Sequence, residues 1–179
     1  MKREIRLSEK IWLAGLIFIF VFMLVHDWVP LGPLNDVEAI RQDSTFQELF
    51  FVTLINAGQI LLFIVLLLIF MGKRYPIWVK LWLVIHQSCI FAGALWAWWI
   101  PYFFGIGAEE RVERYELMFG NTHTFLPEMH GIAPNTIHTI FHLTLLTCII
   151  LSIYIGVTDS KRLKQENKTN QMREKTVGE

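Results

Sequence analysis

The sequence predicts an all-α membrane protein, a bundle of four transmembrane helices with a long outer loop between the third helix and the fourth. Hydrophobic residues make up 54% of the 179 residues, and they occur in four long runs rather than in amphipathic stripes. A helix needs roughly 20 mainly apolar residues to cross a bilayer. Helices are expected in these runs because an isolated strand would leave backbone polar groups unpaired in lipid.

The four spans are predicted at residues 11–29, 49–71, 77–100 and 136–157. Helix-ending residues follow the first three runs, namely Pro30, Gly72 and Pro101. The first run is long enough to span and no small-residue cleavage pattern follows it, so we interpret it as a retained helix and not as a signal peptide. We divide the chain into a membrane domain, residues 1–160, and a polar tail, residues 161–179, which is expected to be disordered.

The distribution of positive charge predicts the orientation of the bundle. Thirteen of the sixteen Lys and Arg residues lie near the N-terminus, in the connection between the second and third spans, or in the tail. The other two connections contain only Arg41, Arg111 and Arg114, together with most of the acidic residues. Since cytoplasmic loops are enriched in Lys and Arg, both termini are expected in the cytoplasm (N-in/C-in) and the protein in the cell membrane.

The two outer connections contain signals for short helices. Asn35 precedes Glu38 by three residues, which predicts a helix cap at Asn35. In the longer connection, Tyr115 and Phe119 recur at helical spacing, which predicts a helix on the outer surface. Residues 123–130 follow, and two interpretations stay open: a lid over the mouth of the bundle, or a loop that packs on lipid headgroups.

Histidine is concentrated toward the outer face. Five of the six histidines lie at the outer boundary or in the outer loops, and the sixth lies near the middle of the third span. The six are His26, His123, His130, His138 and His142 on the outer side, and His86 in the span. Polar groups in a span are rare and usually face the bundle interior. The distribution of histidine therefore predicts a polar site inside the bundle, open to its outer face.

His138 and His142 are four residues apart and therefore project from one face of a helix. This spacing lets two imidazoles bind one ion, which makes the pair the tentative metal ligands. Further ligand candidates are the other four histidines, Asp27 and Glu128. Three interpretations stay open: ligation of a metal ion or haem, a polar substrate pocket or proton path, and two histidines that are merely hydrogen-bonded at the membrane boundary.

Three polar residues within the spans are expected to face the bundle interior together with His86, namely Asn56, Gln59 and Gln87. Gln59 lies at a depth similar to that of His86 and Gln87, so it is expected to be able to pair with one of the two. Such a pair is either a structural hydrogen bond between helices or part of a ligand, quinone or proton-handling site.

No motif fixes a reaction. Cys89 and Cys148 form no C-x-x-C pair, and the residues between His138 and His142 do not make the H-E-x-x-H motif of metalloproteases. The leading hypothesis is a polar site open to the outer face that binds a metal ion, haem or a small amphipathic substrate for redox chemistry. The alternatives are a non-enzymatic subunit or assembly factor, and a small transporter or proton path.

The expected partners follow from the same features. They are the lipid bilayer and either another membrane protein or further copies of this chain. No nucleic-acid partner is expected, because the tail is the only basic segment of any length. The sequence leaves open whether the protein is an enzyme.

Overall fold

The computed structural model describes the backbone of residues 4–177, and the side chains of residues 4–42 and 44–159. The described chain is all-helical and contains no strand. Its helices are α1 (Leu7–Val25), α2 (Glu38–Asp43), α3 (Phe46–Phe70), α4 (Ile77–Ala94), α5 (Ile100–Phe104), α6 (Glu109–Phe119) and α7 (Thr136–Val177). A π-helical turn, Leu95–Trp99, joins α4 to α5, and Gly32–Leu34 forms a single 3₁₀ turn.

Four helices are long and apolar enough to cross a membrane: Leu7–Val25, Phe46–Phe70, Ile77–Phe104 and Thr136–Asp159. Many of their large side chains point outward, and Phe51, Leu68 and Ile85 each remain more than half exposed. Apolar surface of this extent is unfavourable in water and favourable against lipid. The fold therefore supports the prediction of a multi-pass membrane protein.

The long helices pack around one apolar core. Helix α1 packs against both α3 and α7, and α7 also packs against α4. On α1 the core residues Trp12, Leu16 and Ile19 recur every three or four positions, which places them on one face. Glycine permits the close approach of α1 to α7, because a Cβ added to Gly15 would lie 2.7 Å from the Sγ of Cys148.

The bundle has two unlike ends. At the first, which we call the long-loop end, lie the connections that contain α2 and α6, residues 26–45 and 105–135. At the other, which we call the short-loop end, lie residues 4–6 and the brief connection 71–76. The histidines of the outer loops are all at the long-loop end.

The helix ends differ from the predicted spans in two places. Helix α1 ends at Val25, so His26 and Asp27 lie in the following turn and not within a helix that reaches residue 29. The third helix does not end at Pro101, because the π-helical turn lets the chain continue through α5 to Phe104. In that turn the N–H of Ile100 donates to the carbonyl of Leu95, five residues back.

The last helix is longer than the predicted span. Its backbone continues past residue 157 to Val177, through the segment that we expected to be disordered. Lys, Gln, Glu and Arg are good helix formers, which accounts for a helical backbone in a segment too polar to pack on a core. The division into a membrane domain and a cytoplasmic tail stays a prediction.

A buried ionic cluster joins three segments at the short-loop end. We call it the short-loop cluster, and its members are Arg6, Glu9, Tyr75, Lys80 and Asp159. The Lys80 ammonium lies 2.9 Å from Asp159, and the Tyr75 hydroxyl donates to Glu9 over 3.0 Å. Glu9 and Asp159 are almost fully buried, and buried carboxylates need such partners. The sequence pattern indicates only that the basic residues here orient the bundle, and it gives no sign of these buried contacts.

Candidate functional site

A cavity of about 230 Å³ opens at the long-loop end of the bundle. Its polar wall contains His26, Asp27, Asn35 and His138, and three aromatic rings form much of the rest, Trp98, Tyr115 and Phe119. The remaining lining residues are Ile40, Arg114 and Met118. Two of the predicted site histidines, His26 and His138, thus lie together with Asp27. The ring centroids of the two histidines are 5.9 Å apart.

Each wall of the cavity comes from a different element. The turn after α1 supplies His26 and Asp27, α6 supplies Tyr115 and Phe119, and the first turn of α7 supplies His138. Trp98 lies in the π-helical turn. Because a π turn contains an extra residue, it rotates the following side chains around the helix axis, and such turns are frequent at functional sites.

Asn35 fixes the turn that presents His26. Its buried side-chain amide donates to the backbone carbonyls of His26 and Val29. The prediction that Asn35 caps the next helix is therefore wrong, because α2 begins at Glu38 and its preceding residue is Val37. The backbone carbonyls released at the end of α1 needed a donor, and Asn35 supplies it.

The contacts of His26 imply a shared proton. Its Nδ1 lies 3.0 Å from the carbonyl oxygen of Phe22, which can only accept, so Nδ1 carries hydrogen. Its Nε2 lies 3.1 Å from Oδ1 of Asp27. That contact is attractive only when a proton lies on one of these two atoms. Burial raises the pKa of Asp27, although the nearby charge of His26 opposes the shift.

The protonation of His138 is set by Asn135. The side-chain oxygen of Asn135 accepts the backbone N–H of His138 over 3.1 Å, as an N-cap residue does at the start of a helix. The same oxygen lies 2.7 Å from Nδ1 of His138, so Nδ1 donates to it. In the neutral ring Nε2 is then an acceptor. The imidazole also stacks on Trp98, with ring centroids 4.8 Å apart.

Tyr115 repairs the backbone where Pro101 interrupts it. Pro101 has no N–H to give to the carbonyl of Ala97, four residues earlier. The hydroxyl of Tyr115 donates to that carbonyl instead and so ties α6 to the π-helical turn. Burial raises the pKa of Tyr115 to about 12, against the opposing charges of Arg111 and Arg114, so the hydroxyl keeps its proton.

His142 lies one turn beyond His138 but outside the cavity wall. It is buried against Trp98 and Trp99, with ring centroids 6.0 Å from each. The rings of His138 and His142 are 6.3 Å apart, and within the described residues no three His, Cys, Asp or Glu side chains converge to hold a metal ion. Metal or haem binding by this pair stays a prediction.

His86 belongs to a separate polar contact. Its Nε2 lies 2.8 Å from Oε1 of Gln59, so of the two residues with which Gln59 was expected to be able to pair, its partner is His86. Gln87 turns back on its own helix and donates to the carbonyl of Leu83. His86 also contacts the rings of Phe63 and Trp82, and none of these residues lines the cavity.

The remaining predicted residues lie outside the cavity. His123 bonds through Nδ1 to the hydroxyl of Thr136, and His130 bonds through Nδ1 to the carbonyl of Tyr102. Glu128 is exposed, and Asn56 is half-buried on α3 away from the cavity wall. In the connection between residues 105 and 135, the residues that line the cavity belong to α6, and none of residues 123–130 lines it.

Sequence reasoning missed several site residues. Trp98, Arg114 and Met118 line the cavity and Asn135 holds His138, and the sequence patterns assign none of these four residues to a site. One usable signal was present, because Asn135 precedes His138 by three residues at the start of an apolar run, which is the spacing of a cap. The π-helical turn that directs Trp98 has no comparable sequence signature.

The described chain thus has four helices long and apolar enough to cross a membrane, which suggests a multi-pass membrane protein, and a polar and aromatic cavity at one end. No protein-family model matches the chain, and neither a curated protein nor a solved structure matches it. The function must therefore be argued from the cavity itself.

Proposed function

We propose that this protein binds a small amphipathic molecule in the cavity at the long-loop end of its bundle. One observation supports the proposal. A single cavity of about 230 Å³ is lined by the His26–Asp27 pair, which shares a proton, by His138 and by three aromatic rings. Ligand sites are typically concave and mostly apolar, with a few polar groups that fix orientation.

The orientation of the bundle is part of the proposal. We place the long-loop end outside the cell membrane and both termini in the cytoplasm, since Lys and Arg are concentrated at the short-loop end and in the tail. The ligand would then enter from the outer face or from the outer leaflet of the bilayer.

The apolar core and the short-loop cluster, which lie beyond the cavity toward the opposite end of the bundle, favour binding over transport. The middle of the bundle is an apolar core that includes Leu16, Ile60 and Leu145, all almost fully buried. The short-loop cluster joins α1, α4 and α7 at the opposite end of the bundle from the cavity. A polar solute moving through the bundle would have to break both the core packing and these ion pairs.

The test is to fill the cavity with a larger side chain and to measure whether a co-purifying compound is lost. Met118 lines the cavity, whereas its neighbour Leu117 is 66% exposed on the same helix. Wild type, Met118→Trp and the control Leu117→Trp would be purified in nanodiscs, extracted with organic solvent and compared by mass spectrometry. We expect a small amphipathic compound to accompany wild type and Leu117→Trp and to be lost from Met118→Trp. Identical extracts from all three would contradict the proposal.

The same preparations decide the metal and haem hypothesis. Elemental analysis and an absorption spectrum would reveal a bound metal ion or haem in wild type. If one were present at one equivalent and were lost in both His138→Ala and His142→Ala, the metal hypothesis would replace the amphipathic ligand. The non-enzymatic alternative is favoured by one observation, because the His86–Gln59 bond joins two helices as a structural contact does.

A further inference from the structure

His138 contributes a hydrogen-bond acceptor to the polar wall of the cavity. Asn135 holds His138 as the tautomer whose Nε2 is an acceptor. Beside it, the His26–Asp27 contact holds a proton between two atoms that would otherwise both accept. A ligand complementary to this wall therefore needs a hydrogen-bond donor for Nε2 of His138, because the hydrogens of the His26–Asp27 pair are already used within the protein.

The other walls limit the shape and size of the ligand. Trp98, Tyr115 and Phe119 present aromatic surface, and the hydroxyl of Tyr115 is already committed to the backbone of Ala97. An apolar cavity of roughly 150 Å³ is enough to bind benzene. A volume of about 230 Å³ is therefore suited to one or two fused rings with a small substituent.

We propose that the ligand is an aromatic ring that bears a hydroxyl group, of the kind found in the hydroquinone headgroup of membrane quinols. The hydroxyl donates to Nε2 of His138, and the ring lies among Trp98, Tyr115 and Phe119. The inference rests on the proposed function and names the chemical class of the molecule bound there. It concerns binding and includes no redox step.

The test compares ring compounds that differ in the donor. The probes are 1-naphthol, which has a hydroxyl, and two compounds that lack a donor and bracket it in size, naphthalene and 1-methoxynaphthalene. Affinities would be measured by quenching of tryptophan fluorescence in detergent. We expect wild type to bind 1-naphthol at least about tenfold more tightly than either of the others, a difference of about 1.4 kcal/mol. A buried acceptor that is left without a donor costs this much or more.

The matched variants are His138→Phe and His123→Phe. The first keeps a ring against Trp98 but removes the acceptor, so we expect the preference for 1-naphthol to disappear. The second changes an exposed histidine away from the cavity, so we expect the preference to remain. Loss of the preference in both variants alike would overturn the assignment to His138.

If His138→Phe fails to fold, the wild type still tests the inference. Nitrogen-15 NMR of the labelled imidazoles should show a protonated Nδ1 and an unprotonated Nε2 for His138, and the Nε2 signal should move when 1-naphthol is added. A protonated Nε2 in the free neutral ring would overturn it.

The failures of the two proposals are distinguishable. Equal affinity of wild type for all three probes, abolished by Met118→Trp, would overturn the hydroxyl inference and leave the cavity as a binding site. Failure of every probe to bind, together with identical extracts from wild type and Met118→Trp, would overturn both proposals.

Discussion

The His26–Asp27 pair makes the cavity sensitive to pH, because its two facing atoms need a proton between them. Burial raises the pKa of Asp27 above its ordinary value of 3.8, so the folded protein holds this proton more tightly than the unfolded chain. Stability from this source is fully present at low pH and is lost as pH rises through the raised value. The structure thus predicts a pH dependence opposite in sign to that of a salt-bridged carboxylate.

Replacing the carboxyl tests that sign. In Asp27→Asn the amide can donate to Nε2 of His26 without any shared proton, so the pH-dependent loss should disappear. We expect the melting temperature of Asp27→Asn relative to wild type to be higher at pH 8 than at pH 4, by thermal unfolding in detergent. Glu38→Gln, at an exposed carboxyl on α2, is the control and should show no such trend. A pH-independent difference for Asp27→Asn would contradict the argument.

Residue-scale reasoning from the sequence succeeded where depth alone decided the contact. Gln59 and His86 were expected to be able to pair because each lies near the middle of its span, and they are hydrogen-bonded. It failed where a side chain had a choice of partners. Asn35 had a local role available as a cap, yet it bonds to carbonyls six and nine residues earlier, which no local pattern reveals.

Among the elements, α6 and the π-helical turn depend on each other. Pro101 leaves the carbonyl of Ala97 without its usual donor, and Tyr115 on α6 provides one. The sequence predicted α6 from its periodicity. It gave no indication that a residue of α6 completes the third long helix, because the deficit and its remedy are 18 residues apart.

A double-mutant cycle tests this dependence. Tyr115→Phe leaves the half-buried carbonyl of Ala97 without this donor, so we expect it to lower the free energy of unfolding by about 1 kcal/mol. In a Pro101→Ala background the restored N–H can reach Ala97, so the same substitution should cost markedly less. The measurement is reversible unfolding of the four proteins in mixed micelles. An equal cost of Tyr115→Phe in both backgrounds would show that the hydroxyl does not compensate for the proline.

At the scale of the whole molecule, the number of long helices could be predicted and the site could not. Four apolar runs are a property of composition and length, so their number does not depend on how the side chains pack. The cavity depends on where four separated elements converge. The sequence supplied His26, Asp27 and His138, but it also grouped them with His86 and Asn56, which the packing of α3 and α4 keeps elsewhere.

The proposed orientation of the whole bundle predicts which ends can be labelled from outside a cell. Single cysteines would be placed at Asn121, in the loop after α6, and at Lys73, in the short connection, with Cys89 and Cys148 replaced by Ala. We expect a membrane-impermeant maleimide to label Asn121→Cys in intact cells and Lys73→Cys only after permeabilisation. The reverse pattern would place the cavity on the cytoplasmic side and overturn the orientation.

The short-loop cluster has a consequence for how the chain is assembled during synthesis. The guanidinium of Arg6 donates to Thr158 and lies 3.8 Å from Asp159, and 152 residues separate Arg6 from Thr158. At a synthesis rate of roughly 5–20 residues per second, the first helix waits on the order of 10 s for these partners. Arg6 can remain solvated at the membrane surface during that time. Arrival of the last helix then closes the structure, so a ribosome that stalls before residue 158 leaves the first helix without the contacts that hold its end.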